Sequence, residues 1–446
     1  MASANGRRDA RRRTDAPGRA AGELIGMLVV VAAVLSGLVV GFASSAGASP
    51  LWSTMPTPGL GVSGGVLNGV SCPSATSCFA VGSSTRANGN RAQLVVRWDG
   101  TTWSKMPTTD RAGVLESSLK GVSCPSATFC FAVGEETSKR VSGRSLIEEW
   151  NGQTWSQSAS AAPYVNYLSG GVSCASPSAC FLVGGEDAAH TSVLQYWNGV
   201  EWSVMPDPNP GGSALGAVSC PSTTSCFAVG SERAPHGVAN TVAEHWDGNS
   251  WSVIPSGIPG GFFDVNMTGV SCPNPSSCVA VGYGGGGGEF PPLTPVAEQW
   301  DGSRWSQIAS PAVGPQSLLN GVSCAGPSSC VAVGADGIVG LGVSDLRGSL
   351  AAWDGTRWSI VTGPNLGDAT SQLNAVSCPS AADCFAVGGF TTQDKLNHAL
   401  IERSPSGVNR PIVGIAATPS SGDWLVASDG GIFSVGDAHF YGSPAR

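Results

Sequence analysis

An all-β chain folded as a seven-bladed β-propeller is expected from three features of this sequence. The pattern Val-Ser-Cys, five residues, then Cys-[Phe/Val]-[Ala/Leu]-Val-Gly begins at Val70, Val122, Val172, Val218, Val270, Val322 and Val376, with copies 46 to 54 residues apart. A period near 50 in strand-rich units signals stacked blades. Six copies are followed by a tryptophan pair of constant spacing: Trp98 and Trp103, Trp150 and Trp155, Trp197 and Trp202, Trp246 and Trp251, Trp300 and Trp305, Trp353 and Trp358. The seventh copy lacks its pair, and Leu51-Trp52-Ser53-Thr54-Met55-Pro56 at the other end matches Thr102-Trp103-Ser104-Lys105-Met106-Pro107. Exchange of the N- and C-terminal strands would close a ring, which protects sheet edges by radial repetition.

Within one repeat, Leu67–Cys72 reads as the first strand, Pro73–Ser77 as a turn and Cys78–Gly82 as the second strand. A variable loop to about Ala92 leads to a third strand, Gln93–Trp98, with alternating apolar residues. Asp99-Gly100 then reads as a two-residue hairpin turn before a fourth strand, Thr101–Met106, because Asp-Gly supplies the positive φ that a tight hairpin needs. That register sets Trp103 opposite Val96 and makes Trp98 and Trp103 diagonal neighbours on one face. Their repetition reads as blade-to-blade packing, with a sugar-stacking platform as the second reading.

All fourteen cysteines belong to the repeat, two in each copy. Disulfides are therefore expected between Cys72 and Cys78, Cys124 and Cys130, Cys174 and Cys180, Cys220 and Cys226, Cys272 and Cys278, Cys324 and Cys330, and Cys378 and Cys384. The Cys-x5-Cys spacing departs from the usual zinc pattern, and the five histidines follow no repeat. Each bridge closes so short a loop that it removes only about 2 kcal/mol of unfolded-state entropy.

Residues 1–48 read as a signal peptide or N-terminal membrane anchor. Arg7, Arg8, Arg11, Arg12, Arg13 and Arg19 precede an uncharged apolar run, Leu24–Phe42, and Ala46-Gly47-Ala48 suits cleavage. The run is close to the ~20 residues that span a bilayer, so anchoring is the alternative to cleavage. Either outcome places the body outside the cytoplasm, where disulfides persist. The segment carries six Arg against Asp9, Asp15 and Glu23, so a chain of net charge −8 leaves a body of −11. That balance argues against nucleic acid and anionic lipid as partners, leaving residues 24–42 as the only membrane contact.

The units resemble the tandem Cys/Trp repeats of secreted bacterial propeller proteins, which are grouped with kelch and galactose-oxidase-like propellers. The resemblance covers residues 51–407 and implies the fold without an activity. Sialidase Asp-boxes place Asp, Gly and Trp on a similar hairpin, but the order here differs. Residues 408–446 break the pattern. Ile412–Pro419, Trp424–Gly431 and Ile432–Asp437 resemble one partial copy of a second bacterial repeat, often found beside cell-wall amidase domains. Domains are therefore expected at 1–48, 49–407 and 408–446.

In an up-and-down blade the loops after strands two and four share one face, and here those are the variable ones, such as Ser83–Ala92, Glu135–Arg144 and Gly389–Leu396. Variable loops on a rigid scaffold are where function usually lives. Two residues after each Val-Gly stand Ser84, Glu136, Glu186, Glu232, Gly284, Asp336 and Phe390, with Asp187 beside Glu186. Glu136, Glu186, Asp187, Glu232 and Asp336 are thus candidate binding residues that could ring the pore mouth and hold Ca²⁺ or a cationic ligand. Solvated acids at loop starts are the plain alternative. Glu148, Glu244, Glu298 and Glu402 recur at a fixed position of the third strand and read as framework. No catalytic triad, phosphate loop or metal-ligand histidine set is legible, so no catalytic residue and no cofactor beyond Ca²⁺ is expected.

The expected function is a non-enzymatic extracellular or cell-surface binding or scaffold protein, with a glycan or extracellular protein as partner. A carbohydrate-active lyase or hydrolase using carboxylates such as Glu136 with Glu186 is the second reading. A structural surface protein that self-associates through its tail is the third.

Overall fold

A computed structural model describes residues 52–57, 64–139, 143–162, 167–186, 191–209, 213–233, 239–258, 264–285, 293–311, 316–340, 343–364, 366, 370–392, 395–404, 412–417, 423–427 and 432–435. Residues 1–48, expected to be a signal peptide or anchor, and Asp187 lie outside the described residues. No helix among the described residues is long and apolar enough to cross a membrane.

Seven four-stranded antiparallel sheets make the blades of an all-β propeller. Blade 1 runs Gly65–Ser74, Ser77–Thr85, Arg91–Trp98 and Trp103–Lys105. Blades 2 to 6 repeat this order over 114–157, 167–205, 213–254, 264–307 and 317–361. Blade 7 joins Thr370–Ser380, Asp383–Thr391 and Asn397–Arg403 to Ser53–Thr54 from the other end of the chain, with Ser53 opposite Arg403 and Thr54 opposite Glu402. The tail strands Ile412–Ala417, Asp423–Ala427 and Ile432–Val435 form a separate three-stranded sheet.

The repeated motif explains itself in the first hairpin. In blades 1 to 3, Cys72 is bonded to Cys78, Cys124 to Cys130 and Cys174 to Cys180. In blades 4 to 7, Cys220 is bonded to Cys226, Cys272 to Cys278, Cys324 to Cys330 and Cys378 to Cys384. No cysteine is free, so these residues are staples of the blade. The second member of each pair is the more deeply placed: Cys226, Cys278, Cys330 and Cys384 are each at most 3% exposed, because they sit on the central second strand and face the neighbouring blade.

In blade 1 the pairing jumps from Leu67–Gly82 to Gly69–Val81, so Asn68 is the extra residue of a β-bulge. Crowding at the bulge makes the glycine of Val-Gly obligatory, because a Cβ on Gly82 would lie 1.9 Å from the Val66 carbonyl oxygen. The Val-Ser-Cys serine reaches the next blade: Ser71 Oγ accepts from the Cys124 N–H at 3.0 Å, and the contact recurs at all seven seams.

The second hairpin differs from its expected register. Trp98 sits directly opposite Trp103, and Val96 faces Lys105, so the indoles are a cross-strand pair with ring centroids 5.8 Å apart. Asp99 Oδ1 accepts from the N–H groups of both Thr101 and Thr102, and Asp99 N–H donates to the Thr102 carbonyl. The aspartate therefore flanks the turn and caps it, which centres the turn on Gly100-Thr101, with Gly100 at φ +99°.

Each tryptophan pair packs against the preceding blade. Phe79 meets Trp150 and Trp155 at 5.2 and 5.4 Å, and Phe385 meets Trp98 and Trp103 at 5.6 and 5.7 Å. Phe131, Phe181 and Phe227 do the same at the following seams. Such ring pairs add about 0.5–1.5 kcal/mol each beyond simple burial. The first indole also pins the disulfide turn, as where Trp98 Nε1 donates to the Ala75 carbonyl at 3.1 Å. The core is thus a ring of seven inter-blade clusters.

Candidate functional site

Strand alternation decides where the acidic series points. Glu136 lies on the same side of its strand as Cys130 and Ala132, which pack toward blade 1. It is 3% exposed and pairs with Arg111 Nη1 at 3.4 Å and Arg144 Nε at 3.8 Å, while Gln157 Nε2 donates to it at 3.3 Å. Glu136 is therefore part of a polar seam that also holds Asp110, with Arg86 and Ser117 as its donors. Glu232 is half-buried opposite Ser213 and Asn240. Asp336 is half-buried opposite Ser317 and Arg347, and burial raises its carboxyl while Arg347 partly offsets the rise. Glu186 closes its strand opposite Thr191, and its side chain, like Asp187, lies outside the described residues. Among the described residues no three His, Cys, Asp or Glu side chains converge as a metal-ligand set.

The third-strand acids are buried at the seams: Glu148, Glu244, Glu298 and Glu402 are each at most 3% exposed. The position two residues before the first tryptophan meets the linker that arrives from the preceding blade. Gln195 Oε1 accepts from Ser160 Oγ at 3.1 Å and Ala161 N–H at 2.9 Å. Glu298 Oε2 accepts from Ser256 Oγ and Gly257 N–H, both at 2.8 Å. These residues tie one blade to the next, as a framework position should. Burial raises the Glu298 carboxyl, and the Ser256 and Gly257 donors offset part of that rise, while Glu148 and Glu402 are raised to about 7, in both cases chiefly through burial.

Two cavities lie near the axis. The central channel, about 220 Å³, is lined by the bulge residues Asn68, Lys120, Thr268, Asn320 and Asn374. Its side chains are engaged: the amides of Asn68, Asn320 and Asn374 donate to the Leu119, Leu373 and Leu67 carbonyls, Thr268 Oγ1 donates to the Leu319 carbonyl, and Lys120 pairs with Glu135 at 3.2 Å.

The second cavity is a cleft of about 230 Å³ on the variable-loop face, where blades 6, 7 and 1 meet. Thr370, Gln372, Phe390, Thr391 and Asn397 line it with Val66 and Leu346, and none of its lining residues is charged. Phe390 is half-buried and stacks on His398, centroids 5.0 Å apart and planes 23° apart. Thr392 Oγ1 lies 3.3 Å from His398 Nε2, and Thr391 Oγ1 donates to Asn397 Oδ1 at 2.7 Å. The cleft thus combines an aromatic surface with amides and hydroxyls. Phe390 is visible in the sequence as the aromatic break in the acidic series; Gln372, Asn397 and Thr370 give no signal, because they join it only across three strands of blade 7, with Leu346 and Val66 added from blades 6 and 1.

No protein-family model matches the chain, and no curated protein matches it, so the kelch-like and amidase-associated groupings stand as resemblances of sequence alone. Solved structures do match. YCF48 bound to D1 peptide is 12% identical, with 79% of this chain and 96% of that one covered at a TM-score of 0.48. The beta-propeller domain of the Trilobed protease from Pyrococcus furiosus is 10% identical, covers 78% of this chain and 100% of that one, and gives a TM-score of 0.46. SapL1 lectin in complex with alpha methyl fucoside is 13% identical, with 68% and 97% covered and a TM-score of 0.42.

Proposed function

We propose that this protein is a non-enzymatic binding propeller that recognises a neutral glycan through the cleft at the meeting of blades 6, 7 and 1. The observation that carries the reading is the chemistry of that cleft: an aromatic ring beside amides and hydroxyls, without a charge, on an acidic chain. Sugar rings offer apolar C–H faces to aromatics and hydroxyls to amides, and concave sites with a few placed polar groups are the usual form of a ligand pocket. Seven disulfides with no free cysteine suit an oxidising compartment, where surface glycans are encountered. The enzymatic reading needs a free carboxylate at Glu136, and its two arginines occupy that group.

The test is co-sedimentation of residues 49–446 with purified cell walls and insoluble polysaccharides, with and without Ca²⁺. Saturable binding that is independent of Ca²⁺ and at least about tenfold weaker in Phe390→Ala is expected, a loss of about 1.4 kcal/mol. Binding unchanged in that variant would move the site elsewhere on the face. Ca²⁺-dependent binding would favour the acidic series, and absence of binding would favour a protein partner.

A further inference from the structure

The seam between blades 3 and 4 breaks the rule that its neighbours follow. At the blade 2–3 seam the buried acceptor Gln195 receives a serine O–H and the next residue's backbone N–H, and at the blade 4–5 seam Glu298 receives the same two donors. The equivalent acceptor in blade 4 is Glu244, and the linker residues that should serve it are Asp207 and Pro208. A carboxylate replaces the hydroxyl, and proline has no N–H to give.

The consequence is visible atom by atom. Glu244 is fully buried, and neither Oε1 nor Oε2 has a hydrogen-bond partner. Asp207 Oδ1 accepts from the Asn209 N–H at 2.8 Å, while its Oδ2 is buried without a partner. Three carboxylate oxygens therefore share a seam with no donor among the described residues. Asp207 is the charged group whose field reaches Glu244. His245, the next residue, turns to the opposite face and lies on Phe227, centroids 4.6 Å apart. Two carboxylates with three buried oxygens left unpaired between them cannot both stay ionised in such a place.

We propose that Asp207 and Glu244 hold one proton between them at neutral pH, a carboxyl–carboxylate pair that replaces the missing donors and latches the blade 3–4 linker until the proton leaves. The O–H of one acid donates to the other, and on deprotonation the proton passes to solvent and the two anions repel. Burial first, then the charge of Asp207, holds the Glu244 carboxyl at about 8, and burial also raises Asp207. The two titrate as one coupled unit. The linker lies on the variable-loop face, so the latch controls the order of that face near blade 4.

The sign is that of a raised acid. Stability is full below the ordinary glutamate value of 4.5 and is lost as pH rises through about 8. Thermal unfolding of the full chain at about pH 5.5 and about pH 8.5 tests it. Glu244→Gln supplies a permanent N–H donor to Asp207, and Asp207→Ser restores the donor found at Ser160 and Ser256. Each variant should match the parent at the lower pH and exceed its Tm at the higher pH by at least about 2 °C. An equal loss of Tm at both pH values would overturn the proposal. So would a parent Tm that millimolar Ca²⁺ raises at the higher pH and that Glu244→Gln no longer raises, because the seam would then hold a metal ion. If Glu244→Gln does not fold, Asp207→Ser decides by the same criteria.

Discussion

Ser377 Oγ accepts a hydrogen bond at 3.0 Å from the backbone N–H of Cys72, 305 residues earlier in the chain. The same contact links each of the other six adjacent pairs of blades, so the serine beside every first cysteine serves the next blade rather than its own. Its replacement by alanine leaves a half-buried N–H without an acceptor. Ser377→Ala and Ser71→Ala should each cost about 1 kcal/mol of unfolding free energy by denaturant titration. Equal values at the two seams are expected, since both occupy the same position in the ring; a loss confined to one would show that the contacts are not equivalent.

Trp52 is 5% exposed and lies in a cluster with Val333, Leu350 and Leu400 of blades 6 and 7. If exchange of the terminal strands is what closes the ring, Trp52→Ala should cost about 3–5 kcal/mol, the range for emptying a large aromatic site. Deleting residues 1–56 should expose blade 7 to proteolysis. A deleted chain that unfolds like the parent would show that closure does not depend on this strand.

Cys174 and Cys180 are direct cross-strand partners in blade 3, and the bridge spans a separation of six residues. Replacing both by alanine should cost about 2 kcal/mol and leave a cooperative transition, because so short a loop restrains the unfolded chain little. Loss of folding in the double variant would mean that the bridges create the blade rather than hold its turn.

Stability should be highest at mildly acid pH. Glu148 and Glu402, raised to about 7 by burial, contribute fully below 4.5 and lose that contribution as pH climbs through about 7. In the opposite direction, the Thr102 N–H first and the Thr101 hydroxyl next hold Asp99 at about 2. Asp301 and Asp354 are held at about 2 chiefly by the hydroxyls of Ser303 and Thr356. Those turns are intact above 3.8 and loosen as pH falls through about 2. Scanning calorimetry should therefore give a Tm maximum between about pH 4 and 5, with a decline toward pH 8. Glu402→Gln should flatten that decline. A Tm that rises from pH 5 to pH 8 would contradict the assignment of neutral buried carboxyls.

The candidate cleft depends on Phe390, and its neighbours show why it was only half legible. Phe390 stands out as one letter in a periodic column of acids. Gln372 and Asn397 are polar residues like many others until the ring brings them together beside Leu346 and Val66. Glu136 shows the reverse case. Its spacing suggested a pore ring, but strand alternation turns it into the seam, where Arg111 from the preceding linker and Arg144 from its own blade meet it.

The repeat, the seven disulfides, the blade count and the burial of the tryptophans were all legible in the order of residues, because they follow from local spacing and from the period of strands and turns. What each residue meets across a seam came from the folded ring alone: serine against the next cysteine, phenylalanine against the next tryptophan pair, Ser256 against Glu298. Such partners lie about one repeat apart, and at the ring junction nearly a whole chain apart. Local propensity sets which way a side chain points, while closing the ring sets which group waits there.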